Sequence, residues 1–174
     1  SAKYKISNKL TLEIESESGK KTDDIGFLQK KDGEIHFGRR DINSVENSLD
    51  LNFNIDNYKY LSLRFRNFWS TANYDNVLFS LKNDGMRELT DHPKLDFDPN
   101  TNFNLWNLDL NFDWWFSPGS TITLQYKNQI FNRDNESGLK YYKSLKNLFE
   151  FPVEHQLSLR INYLIDFNKL RRND

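Results

Sequence analysis

The sequence predicts an all-β fold, an antiparallel up-and-down membrane β-barrel of about eight to nine strands, either complete or part of a larger barrel, with one short helix in a long loop. Three observations predict it. Strict alternation recurs along the chain and is clearest from Asn102 to Phe131, where Trp106, Leu108, Leu110, Phe112, Trp114 and Phe116 share one parity and Asn107, Asp109, Asn111 and Asp113 the other. A period of two marks a strand with one dry and one wet face. No run approaches the roughly 20 apolar residues of a transmembrane helix, so a chain of this kind that crosses a bilayer crosses it as strands. Aromatics gather at the ends of the alternating runs with aliphatics between them, the pattern of interfacial girdles.

The elements follow in order. Lys3 to Glu15 alternates, with Tyr4, Ile6, Leu10, Leu12 and Ile14 against Lys5, Ser7, Lys9, Thr11 and Glu13, and reads as one strand. Polar Glu17 to Asp23 reads as a turn. Ile25 to Lys30 and Glu34 to Arg39 flank Lys31-Asp32-Gly33, where Asp-Gly is a strong hairpin signal. Asn47 to Asp56 alternates, Asn57 closes a short turn, and Lys59 to Trp69 returns with Leu61, Leu63, Phe65 and Trp69 on one face and Tyr60, Ser62, Arg64, Arg66 and Phe68 on the other. Ser70-Thr71-Ala72 reads as a further short turn before a strand from Asn73 to Lys82. Asn83 to Thr101, with Gly85, Pro93 and Pro99, is a long loop. The hairpin from Asn102 to Phe131 turns at Ser117-Pro118-Gly119-Ser120. Leu139 to Phe149 carries Tyr141, Leu145 and Leu148 at helical spacing before Pro152, and predicts a short amphipathic helix. His155 to Phe167 is the last strand, with Leu157, Leu159, Ile161, Tyr163, Ile165 and Phe167 against Gln156, Ser158, Arg160, Asn162 and Asp166. The domain reading is a barrel or C-terminal barrel segment over 1–167 and a polar tail over 168–174.

Membrane barrels have short periplasmic turns and long external loops. With the last strand ending in the periplasm, the 132–154 and 83–101 connections fall outside and the 70–72 and 117–119 turns inside, while the tight turn at Asn57 is a short external exception. The count comes to about nine strands against the even number of bacterial barrels, so one assignment is wrong or upstream strands are missing.

At 174 residues the chain is one domain's worth of material. Its 24 basic and 25 acidic residues are spread throughout, so no polybasic footprint points to nucleic acid. Cysteine is absent, which removes disulfides and thiolate metal sites. A mean hydropathy of -0.81 is compatible with a barrel that shows only alternate residues to lipid, and also with a soluble sheet. The chain opens Ser-Ala-Lys-Tyr without a signal-peptide pattern, so a signal was removed or the chain is an excised piece.

The candidate residues fall in two groups. Arg64, Arg66, Asp109, Asn111, Asp113, Lys127, Arg160 and Asp166 form an expected polar network along the lumen, because charges on an inward face need partners or water. Trp69, Trp106, Leu108, Leu110, Phe112, Trp114, Phe116 and Tyr163 form the expected membrane-facing band and girdles, with Trp69, Trp114, Trp115 and Phe116 at periplasmic ends and Phe103, Trp106 and Phe131 near outer ends. Sugar stacking on the tryptophans and an ordinary sheet core are the competing readings of these aromatics. Asp109 and Asp113 stand about 13 Å apart along a strand, beyond the roughly 5 to 9.5 Å of glycosidase carboxylate pairs, so no catalytic residue is assigned. His36, His92 and His155 lack metal-ligand spacing. Asp84, Asp91, Asp96 and Asp98 do not follow the EF-hand register and read as a solvated loop. No cofactor is expected.

Several runs together carry a resemblance: Leu61 to Thr71, Leu81-Lys82-Asn83-Asp84-Gly85, Asn104 to Phe116 followed by Ser117-Pro118-Gly119-Ser120, and Leu157 to Phe167. Over about residues 45 to 167 their order and spacing resemble the C-terminal part of a family of uncharacterised Bacteroidota outer-membrane proteins. In that family a domain like a family 9 carbohydrate-binding module precedes a large β-barrel. No activity is established for it, although some members carry a loose label of membrane-associated hydrolase, and it has no catalytic residues to carry over. The resemblance implies a bacterial outer-membrane location, a lipid bilayer or detergent as partner, and other envelope proteins or an upstream sugar-binding-like domain as further partners. The functional expectation is a conduit, scaffold or assembly component of unknown cargo; the alternatives are a soluble β-sheet module that binds glycan or polymer, and a membrane-associated hydrolase.

Overall fold

The computed structural model describes residues 1–31, 33–90, 95 and 97–165, with backbone alone at 76. It contains eight strands and one helix: β1 (Ala2–Lys5), β2 (Leu10–Lys31), β3 (Glu34–Asn54), β4 (Lys59–Leu81), β5 (Arg87–Leu89), β6 (Thr101–Ser117), β7 (Ser120–Asp134), α1 (Tyr141–Leu148) and β8 (Glu154–Asn162). All strands join one sheet in the order β1-β2-β3-β4-β6-β7-β8, with β5 on β4 beyond the end of β6. Every pairing is antiparallel. The sheet is open: among the described residues β1 and β8 are its two edges, and no closed barrel is formed.

Three expected breaks in the chain are absent, one of them the gap between Arg39 and Asn47, which β3 spans without interruption. Ser70, Thr71 and Ala72 do not turn; they pair with Ser44, Asn43 and Ile42 on one side and with Phe103, Asn102 and Thr101 on the other, inside an unbroken β4. Leu61, Leu63, Phe65, Trp69, Val77, Phe79 and Leu81 all share one parity, and that continuity was the sequence signal for a single strand. Glu17 to Asp23 does not loop either. These residues continue β2 and are exposed on both faces, so they lack the alternation that a half-buried strand shows. The chain adjusts there by a register shift between Lys21 and Asp24, with Asp23 at φ +56°.

The opposite error occurs at the start. Lys3 to Glu15 is two strands, because residues 6–9 turn: Ser7 Oγ accepts the N–H groups of Lys9 and Leu10, both at 3.1 Å. Such a hydroxyl turn uses no glycine or proline. It also preserves parity, since Tyr4 pairs with Leu12 on the same face, so the alternation runs through the turn undisturbed.

These corrections reorganise the connections. The turns at 6–9, 55–58 and 118–119 now lie together at one end of the sheet, where β8 also ends. The turn at Asn57 is therefore no exception. The β2/β3 hairpin, the 82–100 connection and the 135–153 connection lie at the other end. At the short-turn end Gly119, at φ +73°, follows Pro118, the pairing that a type II turn favours. Gly33, at φ +86°, closes the long hairpin beside residue 32, which lies outside the described residues, as do residues 91–94, 96 and 166–174 and hence Asp91, His92, Pro93, Asp96, Asp166, Phe167 and the tail.

Side-chain bonds tie β2, β3 and β4 together in their distal halves. Arg40 Nε donates to Asp24 at 2.7 Å and its Nη1 to the Tyr74 hydroxyl at 2.8 Å, while the guanidinium lies 5.6 Å from the Tyr74 ring centroid. Gly26 leaves the space that this guanidinium occupies; a Cβ there would collide with it. Arg39 binds Asp75 at 2.6 Å and approaches Asp23 at 3.5 Å. Partial burial pushes the Asp75 carboxyl upward, but the bonds from Arg39 and the Val77 N–H outweigh it and hold the pKa below 3.8. A lowered carboxyl pKa contributes stability above the unfolded value and loses it as pH falls through the folded one. Acidification below about pH 3.8 is therefore expected to lower the protection of the amides at 36–42 and 74–80, their exchange rates being taken relative to the intrinsic rate at each pH. Asp75→Asn should remove this acid-dependent component and cost at most about 1 kcal/mol, the pair being partly exposed.

Candidate functional site: a two-faced sheet

Antiparallel register places cross-strand partners on the same face, so the pairings sort the sheet's surface. On the dry face, Leu12, Leu51, Leu63, Leu110, Tyr126 and Leu157 form one continuous row. Ile14, Leu49, Phe65 and Leu108 form the row on one side, and Leu10, Phe53, Leu61, Phe112, Leu124 and Leu159 the row on the other. No second sheet covers these rows among the described residues: Leu157 is 72% exposed and Leu159 63%. Trp106 borders the band at one end. Trp114 and Phe116 border it at the short-turn end, where Phe116 stacks on Tyr163 with ring centroids 6.2 Å apart. From Trp106 to Phe116 the strand advances about 33 Å, which becomes about 25 Å along a barrel axis at a tilt of ~40°.

The wet face carries hydrogen-bonded polar pairs at the same levels. Arg66 Nη2 lies 3.5 Å from one oxygen of Asp109 and Lys127 Nζ 3.9 Å from the other. Arg64 binds Asp50 on β3 rather than Asp109. Gln125 donates to Asn111 at 2.8 Å and the Thr123 hydroxyl to Asp113 at 2.6 Å. Arg160 lies across from Thr123. Asp109 and Asp113 thus have separate partners, and the pair is not arranged to share a proton or flank a scissile bond. Among the described residues no group of three His, Cys, Asp or Glu side chains converges as a metal site would require.

Two aromatic placements differ from the expectation. Trp69 is not at the short-turn end. It lies beside Asn104, ten residues beyond Lys59, because β4 does not turn after it. Phe103 and Phe131 do not share a face with Trp106: they stand on the wet side with Phe68, in edge contacts at 5.8 and 5.4 Å. The two faces therefore exchange character toward the long-loop end. The wet face becomes aromatic, and the dry face becomes a set of amides.

Asn47, Asn67, Asn104, Asn102 and Asn132 make up that set, and α1 lies over it. Tyr141, Ser144 and Leu148, at i, i+3 and i+7, face the sheet. The Tyr141 hydroxyl donates to Asn67 Oδ1 at 2.8 Å and accepts from Asn47 Nδ2 at 2.9 Å. Ser144 Oγ donates to Asn102 Oδ1 at 3.0 Å and accepts from Asn104 Nδ2 at 3.2 Å. Trp69 Nε1 also donates to Asn102 Oδ1, and Asn67 Nδ2 bonds both Asn104 Oδ1 and the Leu105 carbonyl. Asn102 and Asn132 donate to Asp134. Leu148 is fully buried, and Phe149 sits edge-on to Trp106 at 5.0 Å. The sequence reading missed these amides as a unit. Their signal was parity, since Asn102 and Asn104 continue the spacing of Trp106 and Leu108, as Asn67 continues that of Phe65 and Asn47 that of Leu49.

Residues 1–173 match a domain of unknown function, DUF5916. The chain belongs to this family. No match was found among curated proteins or among solved structures. For this DUF5916 chain, the two-faced sheet and the helix across it are therefore the features on which a functional reading rests.

Each member of the amide network satisfies another, so removing one strands its partners. Ser144→Ala is expected to cost about 1 to 3 kcal/mol and Leu148→Ala about 2 to 5 kcal/mol, both read as faster amide exchange over 141–148. Burial raises the Tyr141 phenol above 10.0, against a smaller lowering by the Asn47 amide. The folded state therefore keeps the proton where the unfolded chain loses it, so this contribution is intact below pH 10.0 and fades above it. Helix docking should weaken with alkali in the wild type and lose that dependence in Tyr141→Phe.

Proposed function

We propose that this sheet is part of the wall of a membrane-spanning β-barrel in a bacterial outer membrane, with the dry face toward lipid and the wet face toward an aqueous interior. In this reading it serves as a passive conduit or scaffold. The supporting observation is the uncovered apolar band. A row of leucines and aromatics that runs through the sheet with no layer over it, half-buried among its neighbours on the central strands and exposed along β8, is more than a soluble monomer normally shows to water. Its height of about 25 Å matches the outward apolar band of outer-membrane barrels. Three short turns lie at one end, and both long connections lie at the other together with the projecting β2/β3 hairpin, which closes in a two-residue turn; long connections confined to one end are the asymmetry of that class. On this reading the short turns are periplasmic, and the Arg66, Asp109 and Lys127 cluster lines the interior.

Strand direction adds a constraint. β1 and β8 run the same way, since five strands lie between them in an alternating sheet. The seven strands of the main path among the described residues are also fewer than the eight of the smallest outer-membrane barrels. An antiparallel ring thus takes an odd number of further strands between β8 and β1. Copies of this chain do not supply them. Side by side in one orientation they would join β8 to β1 in parallel, over a β1 of only four residues; inverted, they would mix short turns and long loops at both ends. The closing strands on this reading have a different sequence.

Three measurements test the proposal. Leu110→Arg is expected to cost about 2 to 4 kcal/mol in a bilayer and Asn111→Arg much less; equal penalties would remove the lipid/lumen assignment, as would a native chain that stays monodisperse without detergent. For closure, the cysteine-free chain allows clean disulfide trapping. Thr123→Cys with Arg160→Cys, which are cross-strand neighbours, should link in the vesicle-bound chain, whereas Lys3→Cys with Ser158→Cys should not link within or between copies.

A further inference from the structure

We infer that α1 is an interfacial anchor whose lysines bind phosphate-bearing lipid headgroups at the long-loop end of the barrel. The inference rests on the membrane reading above. It starts from position. Hydrogen bonds to Asn47 on β3, Asn67 on β4 and Asn102 and Asn104 on β6 carry the helix across the strands rather than along them. A helix that crosses the wall of a barrel lies near the plane of the membrane. Its level is set by Phe149, whose ring meets Trp106, the last aromatic of the apolar band.

The surface of α1 is divided to suit that position. With Tyr141, Ser144 and Leu148 against the sheet, Tyr142 and Phe149 fall together on one flank by their spacing of seven. Tyr142 is 82% exposed and Phe149 52%, and Phe151 and Val153 extend the exposed apolar strip past the helix end. Lys140, Lys143 and Lys146 are all exposed, Lys143 and Lys146 on the side away from the amides and Lys140 at the N-cap of the helix. Glu136 and Glu150 flank the helix, and between them lysine is the only charged residue type. Aromatics continuous with the band and a cluster of cations beside them make up the chemistry of an interfacial amphipathic helix, in which long lysine stems let the ammonium reach the phosphate level. The charge selects the occupant: a zwitterionic surface offers these lysines little, and an anionic phosphate surface attracts them. The amide network beneath supplies rigidity, since α1 is held by directional bonds and does not have to fold on contact with lipid.

The test uses the full chain with phosphatidylcholine vesicles, with vesicles of equal parts phosphatidylcholine and phosphatidylglycerol, and with phosphatidylcholine vesicles plus inorganic phosphate. Flotation is scored first, then amide exchange over 141–148. The expected result is slower exchange on the phosphatidylglycerol vesicles by about fivefold for each lysine engaged, little change with inorganic phosphate, and loss of the effect in a Lys140→Gln, Lys143→Gln, Lys146→Gln variant. Unchanged exchange in β6 serves as the folding control for that variant. Equal exchange on both vesicles, or an equal response of the variant, would overturn the inference while leaving the barrel reading intact. Protection by inorganic phosphate alone would redirect the site to a soluble anion and overturn it as a lipid anchor. Failure to float with either vesicle would overturn the inference alone, since the barrel reading takes further strands and is judged by the Leu110 and Asn111 substitutions.

Discussion

The register between β4 and β6 holds the two faces of this molecule apart. Leu63 opposes Leu110 and Arg64 opposes Asp109, so from Leu61 to Arg66 each row across the pair is of one kind. A slip of one residue would set leucine beside arginine and turn every side chain of the strand to the other face. The same pairing continues to Trp69 and Asn104, where it positions the amides on which α1 sits. Dry band, polar belt and helix platform are thus three consequences of one ladder.

That ladder also explains how the sheet changes character without a break in the chain. A strand has no local device for exchanging its faces; only the residue types at alternate positions can do so. In β6 the parity that reads Trp106, Leu108, Leu110 in one direction reads Asn104, Asn102 in the other, and the opposite parity changes from Asn107 and Asp109 to Leu105 and Phe103. Covering amides with a helix demands that their donors and acceptors be met, because a buried polar group without a partner is costly. The side chains of Tyr141, Ser144 and Trp69 meet that demand. Phe68, Phe103 and Phe131 on the wet side need no such partners and pack on one another.

Within the proposed barrel, function divides by level. In that proposal the aliphatic rows would meet lipid acyl chains, while Trp114, Phe116 and Tyr163 would mark the short-turn interface and Trp106 with α1 the other. The ion pairs around Asp109 would line the proposed interior at the height of the acyl region, where charge is tolerated only on the side that water reaches. The distal halves of β2, β3 and β4 stand beyond the band, and their Arg39–Asp75 and Arg40–Asp24 pairs are of the kind that suits a solvated sheet.

Much of this was legible in the chain. Alternation from Trp106 to Phe116 determined which residues share a face, and the same held from Leu157 to Ile161; the Ser117-Pro118-Gly119 turn and the short helix before Pro152 followed from local chemistry. The reason is that side-chain direction in a strand and the φ demands of a turn are properties of neighbours in sequence. Where strands end was a different matter. The turn at Ser7 kept parity, the exposed run from Glu17 to Asp23 had no alternation to reveal it, and Ser70 to Ala72 stayed extended because partners on both sides hydrogen-bond it. Only the tertiary structure decided these points, together with the level of Trp69 and the seat of α1 on four asparagines. Apart from the Ser7 turn, which its own hydroxyl closes, each depends on a partner tens of residues away, and no window along the chain contains both members of such a pair.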